Sequence, residues 1–448
     1  MQVSHNASPR RWSTHRGLAL AAAGALTLGA SIAVGSATAP PATAAPCGDT
    51  SSTGSSGNNS LSGNSSLSGN GSLGGGAPVE PGQGPQGNLP TWSNTTSKVL
   101  SWVTGPKSPN KTLSRFTISG TDLGVAWDNG AGQTLMAFGD TFGWCNIADH
   151  QWRNNVLLRT TDSQLSDGLS IPDGTPGDRD SGAVVNPQNF ATELVPGQKI
   201  ANVEVTTIPT AAISIGGKQY MNFMSVRHWG DAGVWDTNFS AIAVSGDNGQ
   251  TWAVDQGTMM VNAPVTFALP AAAPTVNVNN SRFQQSGYVR GRSSDGTDDG
   301  WIYQVGTPNG RFGNAYLARF RPTDILNLVD YDYWTGTGWT RDLGLLTDNS
   351  AIVTGNITEL SVAWSPFLHK YVMLDGDNAI RLRTAPTMHG PWSAPRTLVP
   401  SGAVILYGPM MLPQSPALTG TGNQLYFNAS RWSDYNVMLI ESKLNSAW

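Results

Sequence analysis

The chain has 448 residues, only 12% of them charged, with 52 Gly, 16 Trp and a formal net charge of -4. That length allows a large core and more than one segment, and the acidic balance argues against a nucleic-acid-binding stripe. Two cysteines cannot build a disulfide framework. The six histidines form no HExxH or comparable zinc pattern, so neither a metal centre nor a cofactor is expected.

Residues 1–44 read as an export signal. Arg10, Arg11 and Arg16 make a positive start, Gly17 to Val34 is an Ala/Gly/Leu-rich run, and Ala42-Thr43-Ala44 is a small-residue cleavage site. Its removal deletes three arginines and no acids, taking the net charge from -4 to -7. The expected location is secreted or attached to the cell envelope, with membrane contact only if the signal stays uncleaved. Residues 45–89 follow as a Gly/Ser/Asn-rich linker repeating S-L-S-G-N, with almost nothing apolar to bury. "TAAPC" is a poor lipid-attachment box, because Pro46 precedes Cys47.

Residues 90–448 show no long amphipathic helical pattern. Short β-rich runs recur in triplets separated by Gly, Asn and Asp turns. The first triplet is Thr121–Trp127, Gln133–Phe138 and Asn155–Thr160, hinged on "DNGAG". Comparable triplets begin at Ala211, Ser286, Glu359 and Pro409. Radial repetition of this kind predicts an all-β, five-bladed β-propeller, with a β-sandwich as the second reading. "SGDNGQTW" (Ser245–Trp252) is an Asp-box turn, read as structural. "DGTPGDRDSG" (Asp173–Gly182) reads as an ordinary polar loop before a calcium site.

The start of a blade's first strand and the end of its second lie at one edge. Asp122 and Asp140 stand equally far from the first hairpin's centre, so a symmetric register makes them cross-strand neighbours. Paired carboxylates push their proton affinities apart, as glycoside hydrolysis requires. Glu359 and Asp375 repeat the layout in the fourth unit and bring further acid to that face. The loops "TFGWCNIADHQWR", "RHWGDAGVWDTN", "GTPNGRFG", "DGDN" and "SRWSDY" share it, and their aromatic and polar content suits sugars. Trp144, Trp229, Trp235, Asn238 and Tyr407 join Glu359 as candidate substrate-binding residues.

"GTDLGVAWDNGAGQTLMAFGDTFG" (Gly120–Gly143), "IPTAAISIGGKQYMNFMSVRHWG", "VWDTNFSAIAVSGDNGQTW", "ITELSVAWSPFLHKYVML" and "LYGPMMLP" resemble the actinobacterial endo-D-arabinanase family over nearly all of residues 95–448. The resemblance implies a five-bladed propeller that hydrolyses internal α-D-arabinofuranosidic bonds of mycobacterial arabinogalactan and lipoarabinomannan, with Asp122 and Asp140 as catalytic acids. Retention is expected from the closeness of the pair, with Asp122 as nucleophile and Asp140 as acid/base. The alternative is a non-catalytic carbohydrate-binding or adhesion propeller. A sialidase rests on the Asp box alone. A polysaccharide partner, no nucleic acid and a monomer are expected.

Overall fold

The computed structural model describes Cys47 and residues 86–262, 266–267, 276–277 and 281–448. The expected export signal and most of the expected linker lie outside the described residues.

Chain order already separates the blades. β1 (Ser97–Trp102) and the short helix α1 (Thr112–Phe116) precede blade one, formed by β2 (Leu123–Asp128), β3 (Thr134–Phe138) and β4 (Val156–Thr160). Blade two comprises β5 (Thr206–Ile215), β6 (Lys218–Trp229), β7 (Trp235–Ser245) and β8 (Ala253–Val261). The two-rung ladder of β9 (Thr266–Phe267) and β10 (Val276–Asn277) follows. Blade three is β11 (Gln285–Arg292), β12 (Asp298–Thr307), β13 (Gly313–Phe320), β14 (Asp332–Trp334) and β15 (Trp339–Thr340), with β16 (Val353–Ile357) also paired to β13. Blade four is β17 (Leu360–Ser365), β18 (Lys370–Asp377), β19 (Ala379–Ala385) and β20 (Arg396–Val399). Blade five is β21 (Leu406–Met411), β22 (Gln424–Arg431) and β23 (Asn436–Lys443).

The innermost strands form a ring: β2 lies against β5, β5 against β11, β11 against β17, β17 against β21, and β21 against β2. Each pair of neighbouring blades buries its own apolar layer. Leu135 and Leu157 meet Met221 and Phe223 between blades one and two. Ile213 and Ile242 meet Ile302 and Phe320 at the next junction, and Val305 and Leu317 meet Val362 and Met373 after that. Leu374 and Leu382 pack on Phe427 and Ile440, and Met136 and Leu158 on Tyr426 and Leu439. Five such layers around an axis make the five-bladed propeller and rule out the two-layered sandwich. They also explain why β3 and β4 are buried at every residue: a blade between two neighbours is covered on both faces.

Local chemistry sets the hairpins. In "DNGAG", Asp128 Oδ1 accepts from Gly130 N at 2.8 Å, and Asn129 Oδ1 accepts from Ala131 N at 2.7 Å and Gln133 N at 3.0 Å. The Asp box behaves as read. Asp247 accepts from Thr251 N at 2.9 Å and Thr251 Oγ1 at 2.6 Å, and Trp252 meets Trp127 of blade one edge-on. The fully buried Arg159 of β4 donates to Asn248 O (3.0 Å) and Gln250 Oε1 (3.0 Å) of that turn, tying blades one and two together.

Three features add to or correct the sequence reading. The N-terminal strand completes blade five: β23 is flanked by β22 and by β1, with Val99 opposite Ile440 and Trp102 opposite Met438. The propeller's hold on the chain also begins before Leu89. Gln86 Nε2 donates to Thr104 O at 3.0 Å, and Gly87 N donates to Asp434. Finally, Cys47 and Cys145 form a disulfide across 98 positions, which pins the N-terminal segment to the β3–β4 loop.

Candidate active site

At the edge of the ring where inner strands begin, the blade-one hairpin widens. Gly120 stands opposite Phe142, and the next residues face each other through Thr121 Oγ1 and Thr141 Oγ1 at 2.7 Å. Asp122 and Asp140 follow in that register. It then slips by one residue at Gly139, so that Leu123 pairs with Phe138. The two aspartates are side by side, as the symmetric hairpin requires. Gly139 is the residue that permits it: a Cβ there would collide with Asp122 Oδ1. Gly139→Ala is therefore expected to displace the Asp122 carboxyl, lowering turnover of any substrate by on the order of 10²-fold. Steady-state kinetics beside a melting curve would check this, the melting midpoint moving little because the residue's φ is not in the left-handed region.

The two carboxyls have different surroundings. Asp140 is buried, and its Oδ1 accepts from Thr206 Oγ1 at 2.6 Å and Trp152 Nε1 at 2.8 Å. Oδ2 has no hydrogen-bond partner among the described residues. Burial pushes the Asp140 pKa up to about 6, held back by the Thr206 and Trp152 hydrogen bonds and the nearby Lys199 ammonium. Asp122 Oδ2 accepts from Tyr407 Oη at 2.9 Å, while Oδ1 is buried without a partner in good hydrogen-bond geometry among the described residues, and the Tyr435 hydroxyl lies close to the carboxyl. Burial, and next the Asp140 charge, push the Asp122 pKa up to about 8, against the lowering effect of Tyr407. Tyr435 is buried against the pair; burial first, then the Asp122 and Asp140 charges, hold its phenol well above the ordinary range.

Behind Tyr407 lies a buried cation, Arg311. Arg311 grips Glu359 through Nε (3.0 Å) and Nη2 (2.6 Å), with only 5% and 11% of the two side chains exposed. Its guanidinium lies 5.5 Å from the Trp235 ring, 5.0 Å from Tyr407 and 4.8 Å from Trp432. Glu359 raises the Asp122 pKa and Arg311 lowers it, so this pair tunes the acid from across the ring. The whole arrangement holds one carboxyl protonated and one ionised near neutral pH, the requirement for paired acid and base chemistry. Among the described residues, no group of three or more His, Cys, Asp or Glu is placed to hold a metal ion.

A family model described as a domain of unknown function, DUF4185, matches residues 107–441. The chain belongs to the DUF4185 family. Notoamide biosynthesis cluster protein J of an Aspergillus species is 26% identical over 337 residues, covering 71% of this chain and 81% of that protein. Among solved structures, a putative hydrolase from Bacteroides ovatus is similar with a TM-score of 0.47 and 14% identity, covering 74% of this chain and 88% of that one. A Bacillus subtilis arabinanase is similar with a TM-score of 0.36 and 9% identity, covering 73% and 98%.

Within this DUF4185 propeller the other sequence-derived candidates divide. Tyr407, Glu359 and Trp235 join the aspartates, although Tyr407 holds Asp122 and Glu359 is occupied by Arg311. Trp229 packs edge-on against Trp235, 5.7 Å away, and is half-buried beside them. Trp144 lies in the β3–β4 loop next to the disulfide, its backbone N–H held by Gln151 Oε1 at 2.9 Å. Asn238 is turned elsewhere: its amide donates to Val203 O (2.7 Å) and Ser225 Oγ (3.0 Å), fastening the segment that enters blade two. Asp375 is also withdrawn from the site. It is fully buried on the middle strand of blade four, between Arg381 (2.7 Å) and Arg383 (2.6 Å). The Asp173–Gly182 loop is held by ordinary polar contacts, with Asp173 on Arg115 at 2.6 Å.

Sequence reasoning missed Trp152, Thr206, Arg311 as a site residue, and Tyr435. Trp152 and Arg311 lie in loops assigned to this face, yet nothing in their spacing marks them. Thr206 had a usable signal: it begins the inner strand of blade two, as Asp122 precedes that of blade one.

Proposed function

We propose that this protein is an exported glycoside hydrolase that cleaves internal α-D-arabinofuranosidic bonds in mycobacterial-type cell-wall arabinan. The observation that carries the hydrolase reading is the pair of adjacent carboxyls, pushed up to about 8 and about 6 by separate surroundings. Half-buried Trp229 and Trp432 beside the pair suit the apolar faces of sugar rings. The arabinan substrate is supported by the resemblance of the segments around Asp122 and Asp140. The leader supports export, as does the Cys47–Cys145 disulfide, a feature of oxidising compartments.

From these surroundings we assign the roles the other way round from the sequence expectation. Asp122 keeps its proton at neutral pH. With Oδ2 engaged by Tyr407, the proton is carried on Oδ1 and passes to the departing glycosidic oxygen as the C–O bond breaks. Asp140 is ionised, with Oδ1 fixed by Thr206 and Trp152, which leaves Oδ2 to attack the anomeric carbon. Water deprotonated by Asp122 then releases the sugar, giving overall retention. Proton NMR of the first-formed product tests this step; an inverted initial anomer overturns it.

The pH profile is expected to be a bell. Activity rises as Asp140 loses its proton near pH 6 and falls as Asp122 loses its own near pH 8, with the maximum near neutrality. Release of arabinose oligomers from isolated arabinogalactan by the purified mature protein is the direct test. Binding without release would instead establish the carbohydrate-binding alternative.

A further inference from the structure

A cavity of about 850 Å³ runs along the propeller axis from the middle of the inner strands to the hairpin turns. It opens on the face opposite the aspartate pair. Leu123, Ile208, Met224, Tyr407 and Met410 pack into an apolar plug between the two ends, so the cavity is a separate compartment. Its size lies within the roughly 300–1,000 Å³ of small-molecule sites.

Two arginines on one face of β11 line this cavity. Arg290 and Arg292 are two residues apart on the strand and both are half-buried. Arg290 spends one donor, Nη2, on Ser214 O at 2.6 Å. Arg292 has its backbone clamped by the Tyr371 hydroxyl, which donates to Arg292 O at 3.0 Å. Its guanidinium, however, has no hydrogen bond or ion pair among the described residues. The carboxylates at the mouth bond to their own turns rather than to the arginines. Asp128 accepts from Gly130 N at 2.8 Å, and Asp295 accepts from Thr297 N at 3.0 Å and Thr297 Oγ1 at 2.7 Å; both are exposed to water. Trp364 and His369 complete the wall, offering a ring face and a further polar group.

We infer that this cavity is a second ligand site, distinct from the aspartate pair, for a sugar bearing an oxyanion. The free donors of Arg290 and Arg292 take the carboxylate or phosphate in charge-assisted hydrogen bonds, and Trp364 takes the apolar face of the ring. The shared chemistry of a uronate and a sugar phosphate fits a cavity lined by two guanidiniums that keep free donors.

Calorimetric titration of the full mature chain with digalacturonate, glucose 6-phosphate and maltose tests the assignment. At least one of the two anionic sugars should bind at least tenfold more tightly than maltose, and which one does so identifies the oxyanion. Arg292→Ala should weaken that binding at least tenfold with an unchanged melting midpoint, since its side chain bonds nothing in the fold. Arg290→Gln should do the same, and Asp140→Asn should leave the binding intact. Equal affinity for maltose, no binding of either anionic sugar, an unaffected Arg292→Ala variant, or loss of binding in Asp140→Asn would each overturn the proposal.

Discussion

Asp140→Asn is expected to lose hydrolysis of the proposed arabinan substrate by on the order of 10⁴-fold and to remain folded. The amide fills the same space and can still accept from Thr206 and Trp152, but its oxygen is no anionic nucleophile. Asp122→Asn loses a comparable amount for a different reason: the amide has no acidic proton to give the leaving oxygen. The two variants are told apart by leaving group. A substrate whose leaving group needs no protonation, such as a nitrophenyl arabinofuranoside, should regain rate with Asp122→Asn and not with Asp140→Asn. Near-normal turnover by Asp140→Asn on arabinan would reduce the residue to a strand-end cap. Stability separates the variants further. The folded-state pKa of Asp122 is raised from 3.8 to about 8, so the folded protein binds this proton more tightly than the unfolded chain does. That contribution is complete below about pH 4 and is lost as pH rises through about 8. Asp122→Asn should thus be more stable than the parent at pH 8, with the difference vanishing near pH 4.

Starting the chain at Val103 should unfold or precipitate the propeller. That truncation removes β1, exposes the edge of β23, and uncovers the layer in which Trp102 is buried, with Leu89, Trp92 and Val99 packed against it. Each large apolar side chain returned to water costs about 1.5–3 kcal/mol. The sum exceeds about 5 kcal/mol, which corresponds to roughly 7 °C or more in melting midpoint for a domain of this size. It also cuts the disulfide link to the β3–β4 loop. Deleting Asn436–Trp448 is harsher still, because β23 is an interior strand between β22 and β1. A chain starting at Val103 that stays soluble and melts within a few degrees of the parent would show that closure does not need β1.

The repeat of strand triplets, the "DNGAG" hairpin, the Asp box and the facing of Asp122 and Asp140 were all legible in the sequence. Each depends on residues within one hairpin or turn, where alternation, Asx hydrogen bonds and two-residue periodicity act over short chain distances. Blade closure through β1 was not legible, because "SKVLSW" reads as one more β-rich run and only the ring shows which edge it covers. Nor was the fate of Asp375, drawn between Arg381 and Arg383, or of Asn238, drawn to Val203 O and Ser225 Oγ.

The surroundings that distinguish the two aspartates come from the tertiary structure alone. Tyr407 reaches Asp122 across 285 positions, Thr206 reaches Asp140 from the next blade, and Arg311 and Glu359 meet from blades three and four. Proton affinity follows from how much water is excluded around a carboxyl and which charges and donors surround it. Those quantities exist only once the ring has closed and brought five distant segments to one face.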